Sequence, residues 1–155
     1  MRNELLICVA LIVALVVAYT FFHSRAARPV RLDIATVVVD SGPGRMREDF
    51  GKAAGSMKVA IAEFYVSRGQ MPRDNAEAGL PPPSEYRGSV LRSATVTANG
   101  SIDFEFDGNS GKDGGHVTLL PDVAHANAMG VQWRCTTSDY PDIAHSIGSC
   151  SYASP

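Results

Sequence analysis

Cysteine and histidine are the residues in this chain best suited to chemistry, and their spacing speaks against most of it. Cys135 and Cys150 lie near the end of the sequence, without the CxxC or Cys–His spacing that holds zinc. A lone disulfide made in an oxidising compartment is one account of the pair, and two unrelated buried thiols are the other. His23, His116, His125 and His145 stand singly, outside any HExxH motif and away from any GxSxG elbow. The stretch GNSGKDGG, residues 108–115, has the Gly-Lys pair of a phosphate-binding loop. Phe106, however, takes the place of the required first glycine, and Asp113 that of the Ser or Thr. As a calcium loop it would supply Asp107, Asn109 and Asp113. Gly111 and Lys112 then fall where a ligand and the turn glycine belong, and Thr118 where a bidentate Glu belongs. A strand-connecting turn accounts for it more simply. Asp139, Tyr140 and Asp142, grouped around Pro141, offer carboxylates and a phenol for contact with a partner, although such a cluster is also ordinary turn chemistry. No catalytic residue, metal site or cofactor is expected, and the sequence does not read as an enzyme.

The elements that would position these residues form one small domain behind an apolar segment. The chain has 155 residues and a net charge of −2, with acidic and basic residues interspersed, so the clustered cations of a nucleic-acid binder are missing. Leu5 to Phe22 is an uncharged run of 18 residues, which as a helix spans roughly 27 Å, enough for a bilayer core. A transmembrane anchor over residues 1–24 is therefore expected. A cleavable signal peptide is the rival, with Ser24-Arg25-Ala26 a poor cleavage site. Orientation is contested. Arg25, Arg28 and Arg31 follow the run while only Arg2, offset by Glu4, precedes it, which favours a cytoplasmic domain; a disulfide would favour the periplasm.

Residues 25–44 read as a spacer, since Pro29 and then Gly42-Pro43-Gly44 should interrupt any helix leaving the membrane. Residues 45–155 read as the globular domain. Phe50, Ala54, Met57, Ile61 and Phe64 recur at helical spacing, and Gly69 followed by Pro72 should end that helix with a left-handed residue. From Val90 the pattern alternates. A three-residue Ala98-Asn99-Gly100 turn sets Val96 opposite Ile102 and Ala94 opposite Phe104, which keeps one face apolar, whereas a two-residue Asn-Gly turn scatters it. Further strands are expected at His116–Leu120 and Gly130–Cys135, the latter with Val131, Trp133 and Cys135 on one face. The expected class is α+β: one amphipathic helix packed on a four-stranded antiparallel sheet, its core built from Phe50, Met57, Ile61, Phe64, Ile102, Phe104 and Trp133.

In this order, KVAIAEFYVSRGQMPRDNAEAGL, VLRSATVTANGSIDFEF, VTLLP and VQWRC make the chain resemble the type IV pilins of class a, from about Gly51 to Cys150. The resemblance implies that Cys135 and Cys150 form the disulfide closing a C-terminal loop used for surface contact and adhesion. It also implies partners among other pilins or pilus assembly proteins, and a single-pass place in the bacterial inner membrane with the domain in the periplasm or on the pilus surface. The family's leader ends in Gly, and a glutamate lies inside its apolar run. Residues 1–28 hold no Gly and Glu4 precedes the run, so the family's processing and fibre bundling are not expected to carry over unchanged. The expected role is a pilin-like structural or adhesion protein, as a non-polymerising accessory or variant pilin. The alternative is a membrane-tethered binding module or assembly modulator on the same fold.

Overall fold

The computed structural model describes residues 42–127 and 130–154, together with Tyr19. Contacts divide the chain into two compact units, residues 1–38 and 39–155, and the second carries the helix and the sheet. The expected membrane helix and most of the expected spacer lie outside the described residues. Among the described residues no helix is long and apolar enough to cross a membrane.

Helix α1 runs Gly42–Arg68. Gly42-Pro43-Gly44, expected to interrupt a helix, instead lies within this one, near its described start; proline is tolerated early in a helix, where its missing N–H has no intrahelical partner to lose. Met46, Asp49, Phe50, Ala53, Ala54, Met57 and Ile61 are its buried residues, three or four apart along one stripe. Phe64 continues the stripe but is only partly buried. Two heptads on from Phe50, a straight helix has rotated its stripe by about 40°. Gly69 closes the helix at φ 71°, its N–H reaching Tyr65 O at 2.8 Å.

The sheet has five strands in the order β1-β2-β3-β4-β5: Leu91–Val96, Ile102–Phe106, Gly115–Asn127, Gly130–Thr137 and Cys150–Tyr152. The first four are antiparallel, and β5 runs parallel to β4. The expected four-stranded antiparallel sheet is thus corrected to a five-stranded mixed one. A three-residue strand with only Cys150 buried carries no alternation for the eye to find; its register is set by Cys135 opposite Cys150, which lays Ser151 and Tyr152 beside Thr136 and Thr137. Before β5 the chain forms a short helix α2, Ile143–Ser146, which periodicity over so few residues does not announce. The β1–β2 hairpin has the expected pairs, Val96 with Ile102 and Ala94 with Phe104. Its turn holds Asn99 at φ 69° and Gly100 at φ 72°. The third strand outruns its expected end at Leu120. Pro121 stands beyond the last β2 partner, Leu119, where a strand with one free side tolerates a residue that cannot donate.

The core lies between α1 and one face of the sheet. Phe50 meets Phe104 with ring centroids 4.8 Å apart and planes tilted by 55°. Met57, Ile61, Ile102, Phe104, Phe106 and Val117 are sealed from solvent, while Trp133 is partly buried and packs at the edge of that cluster.

Two buried polar side chains stitch the edge strand β1 into place. Asp49 Oδ2 accepts from the Val90 and Leu91 N–H groups at 2.7 and 3.1 Å, which fixes the entry to β1 from the helix side. Asn75 donates through Nδ2 to Pro81 O at 2.9 Å and to Ala94 O at 3.1 Å, and accepts through Oδ1 from Val96 N at 2.6 Å. Its amide occupies backbone groups that an edge strand otherwise leaves open. Replacing Asn75 by Ala leaves those buried groups unsatisfied and is expected to cost about 1–3 kcal/mol. Arg73→Ala, which removes an exposed i,i+4 ion pair with Glu77, is expected to cost under about 0.5 kcal/mol. Urea unfolding of the two variants measures both.

Candidate functional site

The disulfide joins Cys135 to Cys150 with Cα atoms 4.4 Å apart, and so closes residues 136–149 into a loop. Both cysteines are buried, at 3% and 5% exposure, on the side of the sheet that faces the core. Few of the loop's residues bury apolar surface, and Ile143 and Ile147 do most of it. The loop therefore depends on polar anchors as well as on the cross-link.

Three such anchors are present. Tyr140 sets its ring edge-on to Phe106, centroids 6.3 Å apart, and its hydroxyl meets Ser110 Oγ at 2.8 Å. That ring lies against the backbone of Gly115, where any Cβ would collide with it, so the glycine is needed for the close approach. Burial pushes the Tyr140 phenol above its ordinary pKa. Asp139 pairs with Lys112 and accepts from the His116 N–H at 2.8 Å. The Lys112 hydrogen bond, aided by that backbone donor, holds the Asp139 carboxyl below its ordinary pKa. From α1, Arg47 donates through Nε to Ser146 O and through Nη2 to His145 O, each at 2.7 Å. These carbonyls close the C-terminal end of α2, where a cation is favoured.

Asp139, Tyr140 and Asp142, which the sequence groups as one contact cluster, are thereby separated. Asp139 and Tyr140 turn toward the β2–β3 turn and hold the loop down; Asp142 is exposed, as are Pro141, His145, Gly148 and Ser149. The stretch GNSGKDGG is the socket, supplying Ser110, Lys112 and Gly115. Sequence reasoning missed this use, and it missed Arg47, which reads as one more solvated helix charge. Lys112 and Gly115 would stand out only to an argument that already knew Tyr140 and Asp139 sat above them.

The face of the sheet turned away from α1 is polar. Thr95, Asp103, Thr118, Thr136 and Ser151 lie in one row across all five strands. Asp103 bridges His116 Nδ1 at 2.7 Å and Thr118 Oγ1 at 3.3 Å, and Glu105 pairs with Arg92 at 3.5 Å. Such a surface suits water or a protein partner. On an open sheet, a His–Asp pair has no walls with which to hold a substrate. Among the described residues no group of three His, Cys, Asp or Glu side chains is placed to hold a metal ion.

Compared with known protein families, residues 50–150 match the pilin family, described as a bacterial filament protein. No curated protein matches the chain.

Two outcomes follow from the anchors. Replacing both cysteines by Ser reopens a loop of 15 residues in sequence separation; on the chain-entropy model this costs about 3 kcal/mol, and amide exchange in β5 should rise with it. The depressed Asp139 carboxyl contributes stability that is present above its unfolded pKa and lost as pH falls through the lower folded value. An acid titration followed by the Tyr140 ring resonances in NMR should therefore show the loop loosening below about pH 4, and Asp139→Asn should abolish that step.

Proposed function

Because the chain belongs to the pilin family of bacterial filament proteins, we propose that it is a membrane-tethered, pilin-like structural protein of a type IV pilus system. It works through contacts with other pilins or assembly proteins. The observation that carries this reading is the C-terminal loop, cross-linked at its base and gripped from both α1 and the β2–β3 turn. A loop held at so many points presents a fixed contour to a partner, with little ordering entropy left to lose on binding. Its exposed residues include Ser138, Asp142, His145 and Ser149, polar groups of the kind found on the rim of many interfaces.

Residues 1–24 serve as the inner-membrane anchor, on the strength of the uncharged run from Leu5 to Phe22. The domain is periplasmic, or exposed at the cell surface, where an oxidising environment maintains the disulfide. Within this role we favour a non-polymerising accessory or variant pilin over a fibre subunit. The support is in the sequence, where Pro29 stands between the apolar run and the domain; a proline inside a helix removes a hydrogen bond and costs about 3 kcal/mol. Adhesive contact through the loop around Asp142 is part of the same proposal.

Shearing piliated cells and separating fibres from membranes tests it. The chain is expected in the membrane fraction, with an intact mass lower by two hydrogens than that of the fully reduced form. Recovery in sheared fibres as a stoichiometric component would contradict the accessory role, and free thiols in native material would contradict the periplasmic one.

A further inference from the structure

Alone among the asparagines of this chain, Asn99 is followed by glycine, and such a pair has a chemistry of its own. The main-chain nitrogen of the glycine, with no Cβ beside it to block the approach, can attack the asparagine Cγ. A C–N bond forms there and the side-chain amide leaves as ammonia. Water then opens the resulting five-membered imide at one of its two carbonyls, which gives aspartate or isoaspartate. The sum is one water taken up and one ammonia released, with no oxidant, metal or second protein required.

The β1–β2 turn decides whether that attack can occur. Closing the ring requires the Asn99 ψ, the soft dihedral that carries Gly100 N, to bring this nitrogen round to the side of Cβ. Asn99 has φ 69° and ψ 19°, so Gly100 N nearly eclipses the Asn99 nitrogen and points well away from the side chain. The Gly100 N–H is also committed to Thr97 O at 3.1 Å, and the Thr97 N–H to Ser101 O at 2.8 Å. Gly100 is buried, and Met71 packs on it so closely that a Cβ would meet the Met71 sulfur at 2.8 Å. The Asn99 residue itself is exposed, within reach of water. Reaction therefore needs the turn to release its hydrogen bonds and to rotate the Asn99–Gly100 peptide from under Met71. We propose that Asn99 is a latent deamidation site, closed by the fold and opened when the β1–β2 turn unfolds. Isoaspartate lengthens the main chain by a methylene, at the turn that sets Val96 opposite Ile102. A chain modified while unfolded thus regains this register less readily.

Peptide mapping of the full chain in detergent micelles, held at mildly alkaline pH with and without concentrated urea, separates the asparagine, aspartate and isoaspartate forms of the Asn99 peptide. Conversion should be about tenfold or more faster in urea, because the native rate is scaled down by the fraction of time for which the turn stands open. Met71→Ala, which uncovers Gly100, should raise the native rate while circular dichroism confirms that the fold is kept. Equal rates with and without urea would mean that the turn does not guard the site, and no conversion in urea would mean that the pair is not a site; either result overturns the proposal. The measurement needs no filament, so it is independent of the structural role proposed above.

Discussion

The contact on which the rest of the molecule depends is between the apolar stripe of α1 and the inward face of the sheet, centred on Phe50 against Phe104. Burial of each large apolar side chain there contributes roughly 1.5–3 kcal/mol, and Met57, Ile61, Ile102, Phe104, Phe106 and Val117 are sealed from solvent in it. Ala94, Phe104 and Val117 lie in one cross-strand row, and Val96, Ile102, Leu119 and Cys135 in the next. Every residue of these two rows is buried. A shift of one residue in any of these strands would turn its apolar set to water. The helix thus fixes the register of the sheet as much as it covers it.

From that sandwich the two sheet edges follow. An edge strand exposes unpaired backbone groups and invites association. At β1 the edge is blunted by the Asn75 amide, and the strand's entry is held by Asp49. Beyond β4 the sheet is extended by β5, a short strand fixed by a cross-link at its first residue. The Asp49 end borders the cleft between α1 and the entry to β1, and the β5 end continues into the disulfide loop proposed for protein contact.

How much of this the sequence discloses depends on whether the physics is local. The helix stripe from Phe50 to Ile61, its stop at Gly69 and the hairpin register through Asn99-Gly100 were legible, because each rests on spacing or turn chemistry within some twenty residues. The fifth strand, the short helix before it and the socket under Tyr140 were not, since they depend on pairings across tens of residues between segments with no apolar rhythm. Asn75 is the instructive miss: an Asp-Asn pair after a proline reads as an ordinary turn, and only the fold shows that one amide is buried and the neighbouring carboxylate exposed. Of the expected contact cluster, Asp142 lies on the surface, while Asp139 and Tyr140 are held by Lys112 and Ser110, a use that their spacing in the sequence does not disclose. Proline in Gly42-Pro43-Gly44 was weighed as a breaker, although at its place near the described start of a helix it is compatible with one.

A double-mutant cycle on Phe50 and Phe104, each changed to Leu, tests the central contact most directly. If the two rings meet across the helix–sheet interface, the coupling energy should be about 0.5–1.5 kcal/mol. Additivity of the two single losses to within about 0.3 kcal/mol would mean that the rings act independently, and that the helix does not cover the sheet as described.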